Sequence, residues 1–318
     1  MRISGYIFIC CLLMKALKPV CVAQDAILSQ FYSSPLFLNP AFAGADLDSR
    51  LVFNYRNQPF PDASNFSLVS AAIDGYVDDL SGGLGLMIMS DYQGGLLWKN
   101  QVNAVYSYHL QLTGNWHVNF GVQAGYYRWD INWDKLDFAN PAQTPPEINR
   151  RNTIDFASGI LFYNEKMYGG IAAHHLSRPK EGLFIDDERL PMKYTAHWGI
   201  MIEPRRNRRA NTLLFEYFLS PQIIYQHQGR QNRINYGFYA GVEQFMAGVW
   251  YQQDLSRPNA FIFLIGLSRE KYRLGYSFDY SFSGYSDISH SIHEISLSFN
   301  IINEDRRMER KVLRGVGF

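Results

Sequence analysis

The chain has 318 residues, of which 47% are hydrophobic, 19% charged and 15% aromatic. A formal charge of +1 lacks the basic excess of a nucleic-acid binder, and so large an apolar share argues against a disordered chain. A mean hydropathy of −0.20 argues against a bundle of membrane helices, whereas 21 Tyr and 22 Phe favour strands and bilayer interfaces.

Residues 1–23 read as a secretory signal peptide. Arg2 supplies the positive start, Tyr6 to Met14 form a short apolar run, and Cys21-Val22-Ala23 offers small residues before Gln24. The run is too short for a membrane-spanning helix. All three cysteines (Cys10, Cys11, Cys21) fall here, so an exported mature chain would carry no disulfide. Removing Arg2, Lys15 and Lys18 from the 30 basic residues leaves 27 against 29 acidic ones.

Residues 24–48 contain Ser29-Gln30-Phe31-Tyr32 and Leu38-Asn39-Pro40-Ala41-Phe42-Ala43-Gly44. Pro35, Pro40 and Gly44 oppose a long helix or strand. The segment is either a floppy leader or an ordered plug, with Asn39, Pro40 and Gly44 as its candidate turn residues.

From 49 to 302 the side chains alternate with period two, the mark of strands that present different faces to two environments. In 292–301, Ile295, Leu297, Phe299 and Ile301 share one face, and Glu294, Ser296, Ser298 and Asn300 the other. The polar faces are Gly, Ser, Asn, Gln and Tyr with sparse charge, unlike the Lys- and Glu-rich exterior of a soluble sandwich. About fourteen such segments follow one another. Tight connections at 79–81, 113–114, 165, 244–245 and 270 alternate with a set that includes long ones at 130–152, 178–191 and 284–291. The expected fold is all-β: a transmembrane antiparallel barrel of about 14 strands with an N-terminal plug-like segment. An even strand number puts both ends of the barrel on the short-turn, periplasmic side. Trp98, Trp116, Trp129, Trp133, Tyr126 and Tyr127 are expected in interface girdles. Residues 260–267 are apolar on both faces, as suits a strand packed inside as well as outside.

Ionisable residues within such a barrel face a cavity and pair. Arg56, Asp279 and Glu294 are the leading lumen candidates for holding the plug, with Asp155, Glu203, Glu216, Glu243 and Arg273 behind them. Arg205, Arg206, Arg208 and Arg209 sit in the one long turn of the periplasmic set. They form either a charged rim or a docking patch for an acidic partner or anionic headgroups. A basic tail over 303–318 has the same two readings. No metal, cofactor or catalytic set is expected. His174 and His175 are adjacent in a strand and should point to opposite faces, and no Gly-x-Ser-x-Gly elbow occurs.

The Ser-Gln-Phe-Tyr and Leu-Asn-Pro-Ala-Phe-Ala-Gly leader resembles the PorP/SprF family of Bacteroidetes outer-membrane proteins. So do Asn54-Tyr55-Arg56-Asn57-Gln58, Gly82-Gly83-Leu84-Gly85 with Asp91-Tyr92-Gln93-Gly94, Ser107-Tyr108, Gly275-Tyr276-Ser277-Phe278-Asp279-Tyr280 and Ser289-His290-Ser291-Ile292-His293-Glu294-Ile295-Ser296-Leu297. The resemblance implies a non-enzymatic type IX secretion component that exports or anchors a secreted adhesin-type cargo at the cell surface. Implied partners are the cargo or its C-terminal domain, other secretion components and outer-membrane lipid, with no nucleic acid. Barrel physics alone leaves a second reading open, a passive channel or hydrophobic-solute transporter.

Overall fold

The structure, a computed structural model, describes residues 25, 27–46, 48–59, 65–136, 149–181, 189–203, 217–255, 257–269, 271–282 and 291–301. Its strands are β1 (Ser49–Gln58), β2 (Phe66–Val77), β3 (Gly82–Gln93), β4 (Leu97–Gln111), β5 (His117–Ile131), β6 (Arg150–Tyr163) and β7 (Met167–His174). There follow β8 (Lys193–Ile200), β9 (Tyr217–Gln228), β10 (Gln231–Val242), β11 (Phe245–Asp254), β12 (Arg257–Ser268), β13 (Tyr272–Ser281) and β14 (Ser291–Ile301). Each pairs antiparallel with its sequence neighbours, and β14 pairs with β1 to close the barrel. Closure leaves no unpaired edge, which hydrocarbon requires. Among the described residues no helix is long and apolar enough to cross a membrane.

The period-two pattern resolves into an apolar exterior and a polar interior. Phe53, Tyr55, Val69, Ile73, Ile154, Ile265 and Ile295 are exposed, while Asn54, Ser70, Asp74, Asn103, Asn235 and Ser277 are buried. A barrel of this size encloses more space than its own side chains fill. Residues 27–46 occupy that space as three short helical turns, Phe31–Ser33, Pro35–Leu38 and Pro40–Phe42. Phe31, Leu36 and Phe42 join Tyr168, Tyr239, Trp250, Ile262 and Leu264 in one buried cluster. This explains why 260–267 is apolar on both faces.

The segment also traverses the barrel. The Asp25 backbone N–H donates to Gln228 Oε1 (3.2 Å), beside the β9–β10 turn. Gly44 packs on Gly75 and Gly83, beside the β2–β3 turn. Those turns belong to opposite ends, so the chain descends from the long-loop mouth to the short-turn end before entering β1.

Three expectations need correction. Tyr127, Trp129 and Trp133 are buried and lie in no girdle. Parity explains the first two: Tyr126 points outward, so Tyr127 and Trp129 face inward. His174 and His175 do not point to opposite faces, because the strand ends at His174 and His175 adopts φ 59°, turning both rings into the interior. The connections alternate less cleanly than expected, since the long-loop end also carries tight turns at 94–96 and 229–230.

Candidate functional site

Three polar clusters tie the N-terminal segment to the barrel wall. The first lies where β1, β13 and β14 meet. Glu294, 0% exposed, accepts the Ser29 N–H (2.7 Å) and the Gln30 N–H (3.1 Å), and Gln30 Nε2 returns a bond to the Glu294 carbonyl (2.8 Å). Arg56 Nη1 sits 3.0 Å from Asp279 Oδ2 and 3.3 Å from Glu294 Oε2. The Ser29 hydroxyl donates to Asp279 and accepts from Arg56. The β1–β14 register sets Arg56 opposite Glu294, so the sheet itself builds the ion pair. The two backbone N–H groups satisfy the Glu294 oxygens alongside the Arg56 cation.

The second cluster is built of neutral amides and carbonyls, with one ion pair at its Gly44 end. Asn39 Nδ2 donates to the carbonyls of Ile160 (3.1 Å) and Ile171 (3.2 Å) and to His197 Nε2 (3.1 Å), while Asn39 Oδ1 caps the Ala41 N–H (2.9 Å). The Ala41 carbonyl accepts from Ser107 Oγ (3.1 Å) and Asn119 Nδ2 (3.2 Å), and His109 Nε2 donates to the Ala43 carbonyl (2.9 Å). Pro40 sets the turn and is itself buried. Gly44 has φ +66°, and its N–H reaches Asp74 (3.0 Å), which Arg50 holds in a bidentate pair. Gly121 on β5 admits the passing chain, since a Cβ there would lie 2.2 Å from the Ala41 nitrogen.

The third cluster forms the long-loop mouth. Both ring nitrogens of His175 donate to carboxylates, Nδ1 to Asp155 (2.7 Å) and Nε2 to Asp25 (2.9 Å), and Lys193 Nζ reaches Asp25 at 3.2 Å. Burial pulls the His175 imidazolium down, but Asp25 and Asp155 outweigh it and hold the ring up at about 9. Burial pushes the Asp25 carboxyl up, and His175 with Lys193 reverse this, leaving it well below the usual range. Lys99 pairs with Glu181 nearby. Spaces beside the N-terminal segment are small, about 30 Å³ and 50 Å³. A larger vestibule of about 300 Å³ opens at the mouth between Asp25, Ile27, Arg56, Phe66, Leu68 and Asp91.

Asn39, Pro40, Gly44, Arg56, Asp279 and Glu294 thus all lie on contacts between the segment and the wall. Asp155 faces inward, but Glu203 is exposed beyond β8, and Glu243 is exposed in the β10–β11 turn with φ 54°, so neither belongs to the lumen. Arg205, Arg206, Arg208, Arg209, Glu216 and the 303–318 tail lie outside the described residues. Sequence reasoning missed Asp25, Asp91, His175 and Lys193. Parity could have found Asp91, which shares the inward face of β3 with Met87 and Met89. Among the described residues no group of His, Cys, Asp and Glu is arranged to hold a metal ion.

The family model described as type IX secretion system membrane protein PorP/SprF matches residues 20–299. No curated protein matches the chain. Among solved structures it is similar to the Ralstonia pickettii toluene transporter TbuX, at 8% identity and TM-score 0.49, over 84% of this chain and 93% of that one. The Acinetobacter baumannii outer membrane protein Omp33 matches at 8% identity and TM-score 0.46, over 80% and 99%. The monoaromatic hydrocarbon channel CymD matches at 11% identity and TM-score 0.48, over 85% and 93%.

Proposed function

Since the chain belongs to the PorP/SprF family of type IX secretion system membrane proteins, we propose that this outer-membrane barrel binds a secreted adhesin-type protein and exports or anchors it at the cell surface. It does so without catalysis, with residues 27–46 as a plug that closes the lumen to solutes. The observation that supports this reading is the filled interior. Residues 27–46 bond to the wall from the mouth to the short-turn end, and below the vestibule at the mouth the spaces beside them hold a few waters at most. A passive solute channel would need a continuous aqueous path, and a hydrophobic-solute transporter a cavity large enough for its cargo. A sealed barrel instead offers its ends and loops to a protein partner.

Pull-down of the tagged protein from native outer membrane, with mass spectrometry of what is retained, tests the reading. Recovery of one large secreted protein or of other type IX components is the expected result. A barrel that retains no protein and conducts ions in planar bilayers would overturn it and favour the channel.

A further inference from the structure

The outer face of the barrel wall excludes charge with one exception. Among the described strand side chains, Arg128 and Asp130 on β5 and Arg150 on β6 are the only Asp, Glu, Lys or Arg that point outward. They stand together at the long-loop end. Arg128 donates from Nε (2.6 Å) and Nη2 (3.1 Å) to Asp130, and Arg150 Nε donates to the same carboxylate (2.6 Å). Two cations around one carboxylate leave one net positive charge, and Asp134 and Lys135, exposed beyond the end of β5, cancel each other. The side chains of Arg128 and Arg150 stay 42% and 53% exposed. Their remaining N–H groups bond to no described residue.

Strand register fixes the height of this patch. Asn100 and Asn152 flank Arg128, and Trp98 and Arg150 flank Asp130, all on the outward face. Toward the short-turn end, the same face of β5 and β6 is apolar but for Ser158, from Tyr126 and Ile154 down to Val118 and Phe162. At about 3.4 Å per residue and a tilt of about 40°, that run rises about 20 Å, close to the apolar belt of an outer-membrane barrel. The arginines therefore sit just past the belt, at headgroup level. Trp98 packs on Tyr92 beside them (ring centroids 5.1 Å), as amphipathic rings do at an interface. Long loops mark the extracellular side, so the leaflet is the outer one.

We propose that Arg128 and Arg150 bind the phosphate of an outer-leaflet lipid headgroup, with Asn100 and Asn152 as further donors and the acyl chains lying on Tyr126, Ile154 and Phe156. A guanidinium fork matches phosphate oxygens, and Asp130 holds both forks side by side before the lipid arrives. The outward direction favours lipid over an acidic protein segment, because the patch borders the apolar belt and faces away from the mouth. The inference goes beyond the secretion reading and needs only that the barrel spans the outer membrane.

The test reconstitutes the full-length barrel in phosphatidylcholine bilayers and replaces that lipid stepwise with phosphatidylglycerol or, in parallel, phosphatidylcholine, each brominated near the headgroup. Quenching of Trp98 is read as the wild type minus Trp98→Phe. Phosphatidylglycerol should be preferred about fivefold at this position, the scale of one basic charge beside anionic headgroups. The double variant Arg128→Gln with Arg150→Gln should lose the preference, with heat-modifiable gel mobility checking that it still folds. Asp130→Asn keeps both cations and removes their counter-charge, so it should keep or raise the preference. Equal quenching by the two lipids in the wild type would overturn the inference, and so would a preference that survives in the double variant. If the wild type shows no preference and the double variant instead loses a protein partner in the pull-down, the patch serves an acidic protein surface and the lipid site is overturned.

Discussion

The two halves of the N-terminal segment are held by different physics. Ser29–Ser33 is fastened by charge, with Glu294 gripping two backbone N–H groups while Arg56 and Asp279 surround the Ser29 hydroxyl. Asn39–Ala43 is fastened by shape and neutral amides, with a glycine on the wall where the chain passes closest and Asn39 spread across three acceptors. The first arrangement depends on keeping opposite charges paired in a dry interior, where an unpaired charge is costly. The second depends on the backbone fitting between strands, where the penalty for a misfit is steric and immediate. The charged half therefore tolerates a change of volume better than the neutral half does, and the neutral half tolerates a change of pH better.

The largest expected effect breaks the shape-held half. Gly121→Val places a Cβ 2.2 Å from the Ala41 nitrogen and 2.4 Å from the Pro40 carbonyl carbon, and neither is a flexible side-chain tip. A loss of more than about 3 kcal/mol is expected, enough to expel the segment or prevent closure. Heat-modifiable mobility on a gel, together with protease cleavage within 27–46, reads this out. A Gly121→Val barrel that folds and resists protease as the wild type does would show that the segment does not pass there.

Next comes the charge-held half. Glu294→Ala removes the acceptor for two buried N–H groups and half of the counter-charge of Arg56. Arg56 keeps Asp279, so a loss of about 3 kcal/mol is expected rather than the upper end for an orphaned ion. Glu294→Gln should recover part of it, because an amide oxygen still accepts one N–H. Asn39→Ala should cost less, about 2 kcal/mol, since the lost bonds are neutral and two of the carbonyls it leaves belong to β6 and β7. Asn39 and Glu294 share no hydrogen-bond partner, so the double variant should lose the sum of the single losses in denaturant unfolding. Marked coupling would mean that the segment comes away as one unit and that the two halves are not independent fasteners.

How far these halves were legible in the sequence follows the same division. Alternation along each strand exposed the barrel, its strand count and the inward direction of Arg56, Asp279 and Glu294, because period two is a local property that survives in one dimension. The Asn39-Pro40 and Gly44 turn was legible because proline and a left-handed glycine announce themselves. The wall that receives the turn was not. Gly121, Ser107 and Asn119 are ordinary inward residues of β4 and β5, and only the closed sheet brings them to Ala41. The mouth cluster was hidden for a further reason. His175 leaves the strand register through a positive φ, so parity assigned it to the wrong face. Asp25 meets it across a sequence separation of 150 residues. Glu203 and Glu243 failed in the opposite sense: parity extended their strands past the true ends, where a carboxylate simply faces solvent.

The smallest effect sharpens the contrast between charge and shape by titrating the mouth. His175 is held up at about 9 by Asp25 and Asp155, against an ordinary value of 6.5. Its contribution to stability is therefore complete below pH 6.5 and is lost as the pH rises through about 9. Asp25 is held down, so its contribution is present above its ordinary value of 3.8 and is lost only in strong acid, as the pH falls through its lowered value. Between those limits the ion pair at the mouth is intact. The thermal midpoint of the wild type minus that of His175→Gln should thus be flat from about pH 5 to 6.5 and shrink toward pH 10. The wild type minus Asn39→Ala difference should show no such decline across the same alkaline range, because no ionised group holds Asn39. If the two differences fell together, the alkaline loss would belong to the barrel as a whole. If only the His175 difference falls, the mouth is a charge-held clasp whose opening leaves the shape-held turn in place.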